Sequence, residues 1–86
     1  MSNTTYNGWA NYETWNVALY IQNEYALYSL AQEWVEDRER SGYDTAEYDT
    51  FRHTLTELCG DKTPDGVRWD DHRLDNEELT EMLAEL

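Results

Sequence analysis

Glu24-Tyr25-Ala26-Leu27-Tyr28-Ser29-Leu30-Ala31-Gln32-Glu33-Trp34-Val35 is the stretch that decides the fold class. Leu27, Leu30, Ala31, Trp34 and Val35 fall at i, i+3, i+4, i+7 and i+8, the spacing that lays one apolar stripe along an amphipathic helix. The stripe fades into Glu36-Asp37-Arg38-Glu39-Arg40, a solvated charged turn, and Ser41-Gly42 supplies a C-terminal stop.

Upstream, a first helix starts with Asn11 as N-cap and Glu13 placed early to suit the helix dipole. Its apolar residues, Tyr12, Trp15, Val17, Ala18, Leu19, Tyr20 and Ile21, cover more than one stripe, which predicts a central, largely buried helix. Asn23 ends it or caps the next. Downstream, a third helix runs from about Thr45 to Cys59 with Tyr48, Phe51, Leu55 and Leu58 on its apolar face, and Gly60 closes it. Residues 60–74 form the one long connection, marked by Pro64, Gly66 and several Asp, with Val67 and Trp69 alternating as in a short extended piece. A last helix opens at Asp75 as N-cap, with Glu78 three residues on as in a capping box, and Leu79, Met82, Leu83 and Leu86 make its apolar face. The expectation is an all-α chain: a compact bundle of three to four short helices with one long loop, a single acidic domain over 1–86, and an irregular N-terminal arm over 1–8.

The chain has 86 residues, with 19 Asp plus Glu against 6 Lys plus Arg, a net charge of −13. Residues 1–35 hold only Glu13, Glu24 and Glu33 and no base; the other acids and all the bases follow. The N-terminal part therefore reads as core builder, its aromatics burying about 150–250 Å² each, and the C-terminal part as acidic display. This charge opposes direct binding to nucleic acid or to an anionic membrane, since both need a basic footprint, and favours a basic partner. The single Cys59 fits a reducing, cytoplasmic compartment. No signal-peptide pattern precedes Trp9, and the longest apolar run, Val17 to Ile21, is far too short for a bilayer.

Chemistry is sparse. Asp61, Thr63, Asp65 and Gly66 occupy positions 1, 3, 5 and 6 of an EF-hand-like spacing, but position 12, which should be a bidentate Glu, is His72. His53, Cys59 and His72 have no zinc-motif spacing. Cys59 and His53 lie six apart on one helix, about 9 Å along its axis, too far for proton transfer. The reading is therefore no enzyme, no metal and no cofactor. What remains is the acid array of residues 33–85, above all Glu33, Glu36, Asp37, Asp44, Glu47, Asp49, Glu57, Asp61, Asp65, Asp70 and Asp71. Duplex DNA carries one charge per about 1.7 Å, so the net charge matches about 22 Å of duplex, and fixed carboxylates of that density suit a basic groove that normally holds nucleic acid. Tyr6, Tyr25 and Tyr43 are candidate exposed interface anchors.

Gly8-Trp9-Ala10-Asn11-Tyr12-Glu13-Thr14-Trp15-Asn16-Val17-Ala18-Leu19-Tyr20 resembles a family of small uncharacterised proteins of phages, plasmids and other mobile elements, whose hallmark is a Gly-Trp-x-Asn-Tyr-Glu-Thr-Trp string before an aliphatic helix. The likeness extends less sharply through Asn23, Glu24, Leu27 and Tyr28. It implies a context rather than an activity: inhibitors of host defence, of anti-CRISPR or anti-restriction type. The expected function is an inhibitor that binds the basic site of a host nucleic-acid-binding defence complex, as monomer or dimer. The alternative is a small assembly protein that homo-oligomerises, its acids serving only solubility.

Overall fold

The computed structural model describes residues 6–42 and 47–86. Four helices follow in order: α1 (Tyr12–Asn23), α2 (Tyr25–Arg40), α3 (Tyr48–Cys59) and α4 (Asn76–Ala84). The expected all-α bundle is what forms. α1 packs on α2 and α3 on α4, while α4 also touches α1 and α2 and so ties the two pairs together. Among the described residues there is no strand, only two isolated bridges, Tyr6 with Trp9 and Lys62 with Arg68.

α1 and α2 are separated by one residue. Glu24, extended at φ −86° and ψ 116°, ends the first helix and begins the second. Asn23 turns its amide back to the Leu19 carbonyl at 2.9 Å. The expected start of α3 at Thr45 lies outside the described residues; within them, Glu47 precedes the first helical residue, Tyr48.

Three expectations are corrected by the packing. The buried apolar set includes Val17, Ala18, Ile21, Leu27 and Ala31 from the first half, but Tyr48, Phe51, Leu55, Val67, Trp69, Leu74, Leu79, Met82 and Leu83 come from the second. The acidic half thus supplies most of the core, because each of its elements is two-faced: Val67 and Trp69 point in while Arg68 and Asp70 between and beside them stay exposed. Of the aromatics between residues 9 and 34, Trp9, Tyr20 and Trp34 only flank the core. Leu58, expected on the buried stripe of α3, is 67% exposed, one residue from the helix end.

Of the expected irregular arm over 1–8, residues 1–5 lie outside the described residues, and residues 6–8 form a turn. Tyr6 and Trp9 exchange both backbone hydrogen bonds, at 2.7 and 2.8 Å. Asn7 (φ 50°) and Gly8 (φ 89°) between them are both left-handed. That is the backbone of a two-residue Asn-Gly hairpin turn, and Gly8 is needed because an L side chain resists that φ.

The N-termini of α1 and α4 lie side by side and cap one another. Each helix has its own N-cap bond, Asn11 Oδ1 accepting from the Thr14 N–H at 2.8 Å and Asp75 Oδ1 from the Glu78 N–H at 3.1 Å. In a capping box the third residue would reach back to its own cap. Here the partners are exchanged. The Asp75 N–H donates to Thr14 Oγ1 at 2.9 Å, and the Ala10 N–H donates to Glu78 Oε1 at 2.7 Å. Asn11 Nδ2 adds a bond to the Arg73 carbonyl at 2.6 Å, and the Arg73 guanidinium meets Glu13 at 3.0 Å. Positive helix ends brought together are offset by these acids.

Below this junction Asn16, fully buried, holds the long connection. Its Oδ1 accepts from Thr63 Oγ1 at 2.7 Å and its Nδ2 donates to Asp65 Oδ2 at 2.8 Å. The Thr63 N–H donates to the Val67 carbonyl and the Gly66 N–H (φ 94°) to the Thr63 carbonyl, closing a tight turn. The Tyr48 hydroxyl donates to the Trp69 carbonyl at 2.6 Å, and burial pushes that phenol far above its ordinary pKa.

Candidate interaction surfaces

The acids singled out from the sequence divide into groups of different availability. Asp44 and Tyr43 lie outside the described residues. Asp65 accepts from Asn16. Asp70 is paired with Arg68 at 2.9 Å, and the Arg68 hydrogen bond holds its carboxyl below the usual range. Asp71 accepts from the Arg73 N–H and guanidinium at 2.8 to 3.0 Å, with 10% of its side chain exposed, and those bonds hold its pKa at about 2. These three acids of the connection have work inside the fold, Asp65 while remaining exposed to solvent. Asp61 is exposed, and its carbonyl accepts from the Trp69 N–H.

The helix acids gather in three places. Glu33, Glu36 and Asp37 line a groove of about 350 Å³ on α2 with Leu30, Trp34 and Arg40. Bases are present there: Arg40 reaches Glu36 at 4.0 Å, and Arg38 lies over the Trp34 ring at 5.0 Å. Glu57 and Asp70 line a second groove of about 250 Å³ with Arg52, His53 and Thr56. The Arg52 Nε and the Trp69 indole N–H are buried without a hydrogen-bond partner among the described residues.

The third place is the most negative. Glu47 and Asp49 at the start of α3 face Asn76, Glu77, Thr80 and Glu81 of α4 across a groove of about 310 Å³. The Tyr48 N–H, donating to Thr80 Oγ1 at 3.0 Å, fixes the two helices here. Arg52, bonded to Asp49 at 2.9 Å, is the one base paired with these carboxylates among the described residues. Glu81 also borders the groove on the other side of α4, with Glu78, Glu85, Trp9 and Gln22. Glu77, Glu81 and Glu85 follow at four-residue intervals, about 6 Å of rise apart, so α4 carries an acid ridge about 12 Å long. These three acids lie in the broad array but outside the named set. The signal that marks them is the α4 apolar pattern, which leaves positions 77, 81 and 85 on the outer edge. α4 has no base in its last turn. Glu77, in the first turn, suits the helix dipole, but glutamates four apart repel and acids near a helix C-terminus oppose the dipole, so Glu81 and Glu85 do not serve the helix.

A separate surface lies on α1. The core takes Thr14, Val17, Ala18 and Ile21 together with Asn16. The second stripe is left outside: Tyr12 is 38% exposed and Trp15, Leu19 and Tyr20 are half-buried. This is less burial than the central, largely buried helix expected, because α2, α4 and the connection leave one side of the helix uncovered. The Asn7-Gly8 turn folds Tyr6, 41% exposed, back onto this stripe. Its ring meets Tyr12 edge-on at 5.4 Å and Trp15 at 4.9 Å, and Tyr12 and Trp15 are 5.7 Å apart. Tyr25, as expected, is exposed.

Cys59 is exposed at the end of α3, and burial of part of its surroundings raises its thiol pKa, which disfavours the reactive thiolate. Thr63, counted in the EF-hand-like spacing, is turned inward to Asn16, and no group of three His, Cys, Asp or Glu among the described residues is arranged to hold a metal ion. No described helix is long and apolar enough to cross a membrane.

A family model described as a family of unknown function, DUF7249, matches residues 2–86. No curated protein and no solved structure matches the chain.

Proposed function

The chain belongs to the DUF7249 family, which carries no assigned activity, and from its own surface we propose that it is a non-catalytic binding protein for a basic, nucleic-acid-handling partner. The observation that carries this reading is the gathering of Glu77 and Glu81 of α4 opposite Glu47 and Asp49, four carboxylates lining one groove, of which Glu81 opposes rather than serves its own helix. A net charge of −13 adds long-range attraction to any basic groove. The fixed spacing lets the protein occupy that groove in place of nucleic acid. The resemblance of residues 8–20 to small proteins of mobile elements favours a host defence complex as the target, of CRISPR or restriction type, met in the cytoplasm. The role is then inhibition by occupancy.

The test is capture on immobilised protein from lysates containing CRISPR and restriction complexes, with salt elution and duplex DNA as competitor. Retention that DNA competes away, and that Glu47→Gln with Glu77→Gln and Glu81→Gln weakens about tenfold or more, is the expected result. Retention unaffected by those substitutions and by salt would overturn it.

A second reading has its own observation, the aromatic surface of Tyr6, Tyr12 and Trp15, which suits an assembly protein that self-associates. Sedimentation across a range of protein concentrations separates the two.

A further inference from the structure

The string Gly8 to Asn16 is used by the fold almost residue by residue. Gly8 makes the hairpin turn, Trp9 packs on the core, Asn11 caps α1, Glu13 meets Arg73, Thr14 caps α4 and Asn16 holds the connection. Tyr12 and Trp15 stand apart: their rings sit on the outer stripe, and the turn adds Tyr6 to them instead of covering them. Contiguous rings that stay wholly or partly exposed on a helix are the usual material of an interface anchor.

The rim of this stripe states its charge preference. Asn16 Nδ2 bonds both Asp65 Oδ2, at 2.8 Å, and the Tyr12 hydroxyl, at 3.4 Å, so a carboxylate lies next to the rings. The Tyr20 hydroxyl is held above its ordinary pKa by burial and then by Asp65 beside it. No Lys or Arg among the described residues pairs with Asp65, and the first base in the sequence is Arg38.

We infer that the outer stripe of α1, formed by Tyr6, Tyr12, Trp15 and Leu19 with Asp65 at its edge, is a docking surface for an arginine-bearing segment of a basic protein. A guanidinium stacks on an aromatic face and presents a fork that a carboxylate accepts in two bonds, which an ammonium does not match. The chain shows the first of these contacts on itself, in Arg38 over Trp34. A second copy, the occupant of the self-association reading above, matches the apolar rings but not the charge, because it brings another −13 and no base from its own α1. Single-stranded nucleic acid is repelled by the same charge.

This inference rests on the reading that the partner is basic, and the experiment separates the two. The full chain, labelled with ¹⁵N, is titrated with octa-arginine and with octa-lysine at about 0.15 M salt, where loose surface attraction is screened. Octa-arginine is expected to move the signals of Tyr12, the Trp15 indole and Tyr20, and to bind about threefold or more tighter than octa-lysine. Tyr6→Ser with Tyr12→Ser should abolish that preference. Asp65→Asn, which keeps an oxygen for Asn16, should also reduce it and serves if the double variant does not fold. Shifts confined to α3 and α4, with no difference between the peptides, would overturn the docking surface and leave the basic-partner reading standing. Binding of neither peptide would overturn both. Stripe signals that move with protein concentration, or with an eight-nucleotide oligothymidine, would assign the surface to a second copy or to nucleic acid and overturn the inference.

Discussion

Asn16 is the residue on which the joining of the two halves most depends. It is an amide in full burial with both ends engaged, one by a hydroxyl and one by a carboxylate. Asn16→Ala leaves the Thr63 hydroxyl proton without its acceptor and removes a charge-assisted bond from Asp65, an expected loss of about 2–4 kcal/mol in urea or thermal unfolding. A loss below about 1 kcal/mol would show the connection to be held by Val67 and Trp69 alone. Asp71 gives a pH signature. Its folded pKa, about 2, lies below the ordinary carboxyl value, chiefly because Arg73 donates to it. The stability this supplies is fully present above about pH 4 and is lost as pH falls from about 4 towards 2. In Asp71→Asn the unfolding midpoint should fall less steeply over that interval than in the unsubstituted chain.

At the scale of elements, α4 is the instructive helix, since its inner face closes the core and its outer edge carries like charges at four-residue spacing. Glu81→Arg converts two repulsions, with Glu77 and Glu85, into attractions, and should raise the thermal midpoint by roughly 2–6 °C at low salt. The same substitution should weaken capture of a basic partner, a gain in stability coupled to a loss of binding. Element identity was legible in the sequence because the periodicity of α2, α3 and α4 is strong and the caps Asn11 and Asp75 are of the right type. The exchange of capping partners was not legible: Glu78 three residues after Asp75 looks the same whether it reaches its own cap or the Ala10 N–H. The burial of α1 was misjudged for a related reason, as an apolar pattern on several faces does not say how many faces have neighbours. The acids of the candidate site were legible as a set but not in their availability. Asp65, Asp70 and Asp71 are engaged through turns and bonds that spacing does not encode, whereas Glu77 and Glu81 follow from the α4 pattern.

Over the whole molecule, self-repulsion from −13 charges acts on a body with a radius of gyration of 12.7 Å, close to the about 12 Å expected for a compact chain of this length. Among the described residues few ion pairs offset it, and those of Arg40 with Glu36 and of Arg68 with Asp70 are exposed. Added salt should therefore stabilise: the thermal midpoint is expected to rise by several degrees between about 0.01 M and 0.5 M sodium chloride, as the screening length shrinks below the dimensions of the protein. A fall over that range would mean that the Arg73 pairs with Glu13 and Asp71 outweigh the repulsion.

The mutual capping of α1 and α4 also bears on how the protein is made. The partners of Asn16, Thr14, Asn11 and Ala10 lie 47 to 68 residues further along the chain. At synthesis rates of about 5–20 residues per second, the first helix waits roughly 2 to 14 seconds for them. During that interval the rings of Tyr6, Tyr12 and Trp15 emerge from the ribosome on a segment whose polar groups are still held by water. A nascent chain stalled before Glu78 should therefore remain sensitive to protease throughout residues 6–40, and become resistant in one step when α4 arrives.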